Sequence, residues 1–464
     1  MVTVNWLKST IDNHLPDKAI KFKSKTTGES STLNEIINKA APEFAKGSSF
    51  YVNPLLCSGH LQTAYTAINN FESVDHVYYK RRILTIENKT YTVGGDKIKY
   101  DRWDGESTVA LDYVQPKSFF PDPDHEKFRP ESQIADLPPR TEYLDPSLEH
   151  GILADDSKPL LIALHGLSGG SYESYIRAFL ATISEDPYNF DAMVLNSRGC
   201  AKHSITSPQL YSGLWTNDLR YLINEHIRPN WPNKRIYLIG FSLGGAILAN
   251  YLGQEGSSVY SGIKGATVVG TPWDFPDSAH HLRESIIGHN IYSPTMCQNL
   301  LRLLNQHYDS HLQFDTIVSE YKKNPTNYEI SRLKQFDDVF TSKLFGLNNA
   351  EEYYRHASPV QRLLKVRVPV IILSSLDDPI TGYRSLPVGE VKLNPYTNLI
   401  TTTIGGHLGW FNFTGGRWYP GPLSRLYSEL DKNWEIDNES LTEEDLPLDI
   451  DKAWKHDRIV YGML

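Results

Sequence analysis

A serine hydroxyl becomes a nucleophile only where the chain turns sharply enough to expose it and supplies a base. Gly240-Phe241-Ser242-Leu243-Gly244-Gly245 has the form of such a turn. It lies between an apolar stretch at 235–239 and a helix-forming run at 244–252. In that setting the serine takes a strained backbone conformation at the end of a sheet. The flanking glycines let strand and helix approach, and the helix N-terminus favours developing negative charge. A bare GxSxG arises often by chance, but the second glycine and the strand and helix around it make this one specific. The chemistry it points to is attack on an acyl carbonyl.

Such a serine needs a histidine base, and the base needs an orienting carboxylate, in the chain order Ser, acid, His. Leu376-Asp377-Asp378-Pro379 follows a predicted strand at 368–373, and Gly405-Gly406-His407-Leu408 follows another at 399–404. Asp378, directly before Pro379, is the preferred acid. Asp377 remains the alternative, with the other aspartate then a capping residue. Of 16 histidines, only His407 and His456 lie beyond the acid loop, and His456 falls past the last predicted helix. His407 is therefore the base. The oxyanion of a tetrahedral intermediate needs backbone donors, here the N–H of Leu243 and, from His165-Gly166-Leu167-Ser168-Gly169-Gly170, that of Leu167. As a phosphate-binding loop the latter is weak, because no GK[ST] follows.

These residues need a sheet to hold them. Leu160–Leu164 reads as a buried parallel strand, followed by a helix with Ile176, Phe179, Leu180 and Ile183 on one face. A strand at 192–195, a helix at 218–227, the strand and helix around Ser242, and a strand at 266–269 continue the alternation. The expected fold class is α/β: a mostly parallel central sheet with helices on both faces. Residues 1–95 are expected to form an N-terminal extension with the first strands, 77–86 and 90–101 pairing as a hairpin. The core's first part spans 96–272, although 116–146 carries seven prolines and reads as a surface excursion. An all-helical lid insertion is expected at 273–358, including helices at 297–307 and 327–345. The core's second part occupies 359–434 and closes with a helix at 422–434. An acidic tail, read as mobile, follows at 435–464.

The chain has 464 residues, 40% hydrophobic, enough for a sizeable core. Its net charge of −9 disfavours a nucleic-acid partner. Ten acids against Lys432 alone between Glu429 and Asp451 account for that excess. Three scattered cysteines, the absence of a signal-type N-terminus and the absence of a long apolar run argue for an intracellular, cytoplasmic protein without a membrane span. Peripheral contact with a membrane or lipid droplet stays open. No cofactor or metal is called for.

As a set, His165-Gly-Leu-x-Gly-Gly-Ser, Asn196-x-Arg198-Gly199-Cys200, the Ser242 motif, Trp273-Asp274, Asp377-Asp378-Pro379, Gly405-Gly406-His407 and an upstream Gly59-His60-Leu61-Gln62-Thr63 resemble the α/β-hydrolase family 4 group. The nearest resemblance is to its fungal branch of medium-chain fatty-acid ethyl ester synthase/esterases and monoacylglycerol lipases, over roughly residues 50 to 430. Thr271 departs from the asparagine common in that branch. The resemblance implies a Ser242, Asp378, His407 triad and a small-molecule substrate, a short- or medium-chain fatty acyl ester or acyl-CoA. Water as second nucleophile gives an esterase or monoacylglycerol lipase, and ethanol with an acyl-CoA donor gives an ester synthase. A non-catalytic lipid-binding scaffold is the remote alternative.

Other features weigh less. His60 reads as a hydrogen-bonded histidine before an active-site one, and Cys200 as structural. Trp410, Phe411, Phe413, Trp418 and Tyr419 read as an acyl-pocket wall or as core. His311-x-x-x-Asp315 matches another acyltransferase motif by a spacing common by chance.

Overall fold

The computed structural model describes residues 7–69, 71–93, 96–98 and 105–447. Eleven strands form one sheet: β1 (Lys8–His14), β2 (Ser49–Tyr51), β3 (Tyr78–Asn88), β4 (Gly105–Gln115), β5 (Thr141–Tyr143), β6 (Leu160–Leu164), β7 (Asp191–Asn196), β8 (Ile236–Phe241), β9 (Ile263–Val269), β10 (Val370–Ser375) and β11 (Thr397–Thr402). Their order is β2-β1-β11-β10-β9-β8-β6-β7-β4-β3-β5. The run from β11 to β7 is parallel throughout, antiparallel pairs flank it at both ends, and the short edge strand β5 pairs parallel with β3.

The apolar runs of the central strands serve two cores at once. Leu160, Ile162 and Leu164 of β6 point into one core and Leu161 and Ala163 into the other. This is the two-residue period of a strand buried on both faces. Five helices matter most for the site: α1 (Gly59–Ile68), α2 (Ser174–Ile183), α3 (Leu243–Glu255), α4 (Ser293–Gln306) and α5 (Pro420–Asn433). The first core takes the inner side of α4 and the rest of the inserted helices, and the second takes α2, α5 and the N-terminal segment.

Several expectations shift. The partner of β3 is β4, in unbroken antiparallel register from Tyr78↔Gln115 to Asn88↔Gly105. Of the expected partner at 90–101, Tyr91–Val93 and Asp96–Ile98 pair only with each other; residues 94–95 and 99–101 lie outside those described. β4 wins because Val109, Leu111 and Tyr113 all reach the core. The excursion at 116–146 contributes one short strand, β5, at the sheet edge. The helix expected at 327–345 starts only at Leu333, where the Gln335 side chain accepts from the N–H groups of Ser331 and Arg332 and so caps it. The expected tail begins in structure: Trp434–Asp437 pairs with Lys21–Ser24, and Asp445 meets Lys18. Residues 448–464, His456 among them, are outside the described set. Among the described residues no helix is long and apolar enough to cross a membrane.

One buried ion pair ties the antiparallel end to the strand tips. Asp112 of β4 accepts two hydrogen bonds from Arg81 of β3 at 2.6 and 2.7 Å, and one each from Ser171 and Asn196 at 2.5 and 2.8 Å. Arg81 also donates to the carbonyl of Ala201. With all these donors facing one carboxylate in a dry interior, Asp112→Ala is expected to destabilise the fold by about 3–5 kcal/mol, read by denaturant unfolding.

Candidate active site

Ser242 follows β8 directly and sits at φ 52°, ψ −119°, a conformation that an L-residue keeps only when its surroundings impose it. Its N–H donates to the carbonyl of Val269 at 2.9 Å, and its carbonyl accepts from Gly245 and Ala246. The glycines follow from the crossing of α3 over the sheet. A Cβ at Gly240 would lie 2.5 Å from the Gly244 oxygen, and one at Gly244 would lie 2.5 Å from the carbonyls of Leu164 and His165.

The three predicted side chains meet at the strand ends. Ser242 Oγ is 2.9 Å from His407 Nε2, and His407 Nδ1 is 2.8 Å from Asp378 Oδ2. The other oxygen of Asp378 accepts the N–H groups of Ile380 and Thr381 at 2.8 and 3.1 Å. Burial pushes this carboxyl up, but the His407 ring and the two N–H groups outweigh it and hold its pKa below the usual carboxylate value. An ionised carboxylate only accepts, so Nδ1 carries the imidazole proton and Nε2 is left to accept from the serine.

Asp377, the alternative acid, is engaged elsewhere. Its Oδ1 accepts from the Ser375 hydroxyl at 2.7 Å and from the N–H groups of Gly405 and Gly406 at 3.0 and 2.9 Å. It therefore shapes the turn that presents His407. Helix α1 braces the same turn from outside. Thr63 Oγ1 accepts the His407 N–H at 2.8 Å and donates to the Gly59 carbonyl. Gln62 accepts from the Phe411 N–H at 2.7 Å and donates to the carbonyls of Leu56 and Phe411. A Cβ at Gly59 would overlap the Asp377 carbonyl, and one at Gly406 (φ 58°) would sit 2.8 Å from Gln62 Cβ. The motif at 59–63 is thus a brace for the turn that carries His407, a role that sequence reading missed because its contacts lie some 350 residues away in the chain. Within it His60 bonds the Tyr292 hydroxyl at 3.0 Å, linking α1 to the inserted helices.

The loop after β6 is held by side chains on both sides of Leu167. The Gly166 N–H donates to the Tyr175 hydroxyl at 3.0 Å, the Ser168 N–H to the Tyr211 hydroxyl at 2.6 Å, and the Gly169 N–H to the Gly166 carbonyl. His165 Nε2 accepts from the Ser197 N–H at 3.0 Å, so its Nδ1 is the protonated nitrogen and donates to the Gly166 carbonyl at 2.7 Å. That carbonyl shares a rigid trans peptide with the Leu167 N–H, so the N–H is aimed the opposite way. A Cβ on Gly166 would be 3.3 Å from Ser242 Cβ, which puts the loop against the serine. Leu243 opens α3 on the serine's other side.

Ser242 and His407 line a cavity of about 510 Å³. Tyr292, Met296 and Leu303 from the inserted helices form one wall, and Ile380 and Leu408 another. Beyond Leu167 and Leu243 a further void of about 30 Å³ runs among Leu210, Leu300, Leu303 and Phe345. Cys200 lines the main cavity, but burial pushes its thiol up to about 12, so it stays uncharged. Trp410, Phe411, Trp418 and Tyr419 are core residues, whereas Phe413 is exposed. Asp315 caps the helix Thr316–Lys323 and lines neither cavity. Thr271 Oγ1 lies where a Cβ on Gly245 would fall, behind the elbow. Among the described residues no cluster of His, Cys, Asp or Glu could hold a metal ion.

Known proteins are similar to this chain over much of its length. A family model described as the α/β hydrolase fold matches residues 159–402. Monoacylglycerol lipase of Saccharomyces cerevisiae is 38% identical over 431 residues, covering 90% of this chain and 89% of that protein. Medium-chain fatty acid ethyl ester synthase/esterase 2 of the same yeast is 31% identical, covering 89% and 93%. Human phospholipase ABHD3 is 30% identical over 56% of this chain and 60% of its own.

The two aspartates separate by experiment. Asp378→Asn, which imposes the wrong imidazole tautomer, is expected to lower kcat by roughly a thousandfold or more. Asp377→Asn, which loosens the turn, lowers it far less and costs stability; ester-hydrolysis kinetics on the two purified variants checks this. Burial holds His165 down at about 4, from an ordinary 6.5. The unfolded chain therefore takes up a proton near pH 6.5 that the folded one refuses until about pH 4, so stability falls as pH drops through that window. The loss from this group is on the order of 3 kcal/mol, and unfolding curves of His165→Asn between pH 4.5 and 7 should show a correspondingly flatter dependence than wild type.

Proposed function

The chain belongs to the α/β-hydrolase family, in its fungal branch of monoacylglycerol lipases and medium-chain ethyl ester synthase/esterases, and on that premise we propose that it is a carboxylic ester hydrolase for short- and medium-chain fatty acyl esters. The observation that carries this reading is the unbroken relay from Ser242 through His407 to Asp378, opening on a cavity large enough for a small acyl ester.

His407 Nε2 takes the Ser242 proton as Oγ attacks the carbonyl carbon. The oxyanion settles between the N–H groups of Leu243 and Leu167, whose orientation is set before substrate arrives, so no reorganisation is needed as charge develops. Asp378 stabilises the imidazolium that forms. The imidazolium then gives its proton to the departing alcohol oxygen, leaving the acyl group on Ser242. Water, activated by the same histidine, attacks that ester and releases the fatty acid. How far the inserted helices, as a lid, keep water out of the cavity decides between water and a bound alcohol as the second nucleophile.

A second reading draws on one further observation. Lys202 and Arg302 are exposed and line the same cavity, which suits a donor whose leaving group carries phosphates, such as acyl-CoA. Ethanol as acceptor would then make the protein an ester synthase with the same triad.

Purified protein is expected to release octanoate from ethyl octanoate and from 1-octanoylglycerol, and Ser242→Ala to lose at least about ten-thousandfold of that rate. Ethyl octanoate formed from octanoyl-CoA and ethanol would rank transfer against hydrolysis. Full hydrolysis by Ser242→Ala, or lipid binding by wild type without turnover, overturns the reading.

A further inference from the structure

Glu173 is the carboxylate in this cavity that the mechanism does not use. It follows the oxyanion loop, precedes α2, and lines the cavity together with Ser242, His407 and Tyr172. Its Oε1 would lie 3.2 Å from a Cβ on Gly169, a position 3.1 Å from the Tyr175 hydroxyl that holds Gly166. Among the described residues no hydrogen bond reaches its carboxylate.

The cations behind it do not supply one. Arg177 donates to the carbonyls of Tyr172, Phe71, Val74 and Asp75. Arg417 donates to the Leu408 carbonyl and to Ser174 Oγ, and lies over the rings of Phe71 and Phe411. They act on Glu173 only through space. Burial outweighs them and pushes its carboxyl up to about 7, so acid and carboxylate forms coexist near neutrality. A half-buried carboxyl that faces a cavity without a protein donor takes its hydrogen bonds from whatever fills that cavity.

Position says which part of a substrate that is. The alcohol oxygen must leave beside His407 Nε2, which protonates it. Arg417 ties Ser174, the neighbour of Glu173, to the carbonyl of Leu408, the neighbour of His407. Glu173 and His407 line the same cavity, and neither borders the smaller void among Leu210, Leu300, Leu303 and Phe345. In that cavity Leu167, Met296 and Leu303 offer an acyl chain an apolar lining, and Glu173 offers a hydroxyl-bearing alcohol an acceptor.

We infer that Glu173 accepts hydrogen bonds from free hydroxyls on the alcohol half of the ester, so that the site selects esters of polyols such as glycerol over those of simple alcohols. A carboxyl has two oxygens for a vicinal pair of hydroxyls, and ethanol offers none once esterified. The inference rests on the ester-hydrolase reading and sharpens it by naming the alcohol.

The experiment compares kcat/KM for 1-octanoylglycerol and ethyl octanoate, which share one acyl group, in wild type, Glu173→Gln and Glu173→Ala. The expected result is a glycerol-to-ethyl preference in wild type that falls by about tenfold or more in Glu173→Ala, the loss falling on the glycerol ester and showing in KM. Glu173→Gln, which keeps one acceptor and the side chain's shape, is expected to fall between. Equal losses on both esters mark a packing role and overturn the inference, as does an unchanged ratio. If wild type cleaves neither ester, the ester-hydrolase reading fails instead.

Discussion

The proposed chemistry turns on keeping one imidazole between a hydroxyl that would give up a proton and a carboxylate that would not take one. The distances of 2.9 and 2.8 Å on either side of His407 leave little tolerance, because a small displacement of a catalytic group costs orders of magnitude in rate. His407 sits on a glycine turn, the least rigid kind of backbone. The fold compensates by bracing that turn from three directions. Asp377 holds its N–H groups from below, Thr63 and Gln62 hold it from the N-terminal helix, and Arg417 holds the Leu408 carbonyl from beyond.

Ser242 and the loop at 165–170 solve the same problem by different means. Ser242 is fixed by backbone alone, in a turn that glycine-sized neighbours allow to close. The loop at 165–170 is fixed by side chains, two tyrosine hydroxyls and a neutral histidine, which commit the peptide groups around Leu167. A histidine buried there must stay uncharged, since a second ring N–H would face the Ser197 N–H that Nε2 now accepts. Local rigidity in the site is thus paired with a titratable group whose protonation works against the fold.

What was legible in the sequence follows from the range of the interactions involved. Ser242, His407 and the strands before them carry their signal within a few residues, in glycine spacing and apolar runs, and the geometry brings these side chains together. Asp377 and Asp378 are adjacent and chemically identical, so only the coordinates of their partners tell them apart. The partners of Gln62 and Thr63 lie at the other end of the chain, and no local pattern announces them. The same holds for β1, which pairs with β11 across nearly the whole sequence, and for β4, whose pairing with β3 skips the nearer segment. Trp434–Asp437 reads as an acidic tail by composition, yet its backbone pairs with a lysine-rich N-terminal strand.

The central claim is that Ser242 Oγ is the atom that accepts the acyl group, and covalent trapping tests it most directly. Native and heat-unfolded protein would be treated with a fluorophosphonate and the adduct mapped by peptide mass spectrometry. The account predicts a single adduct on the peptide containing Ser242, present in the native protein, absent after unfolding, and displaced by a medium-chain ester. An adduct on another serine, or none from a protein that still cleaves such esters, would contradict it.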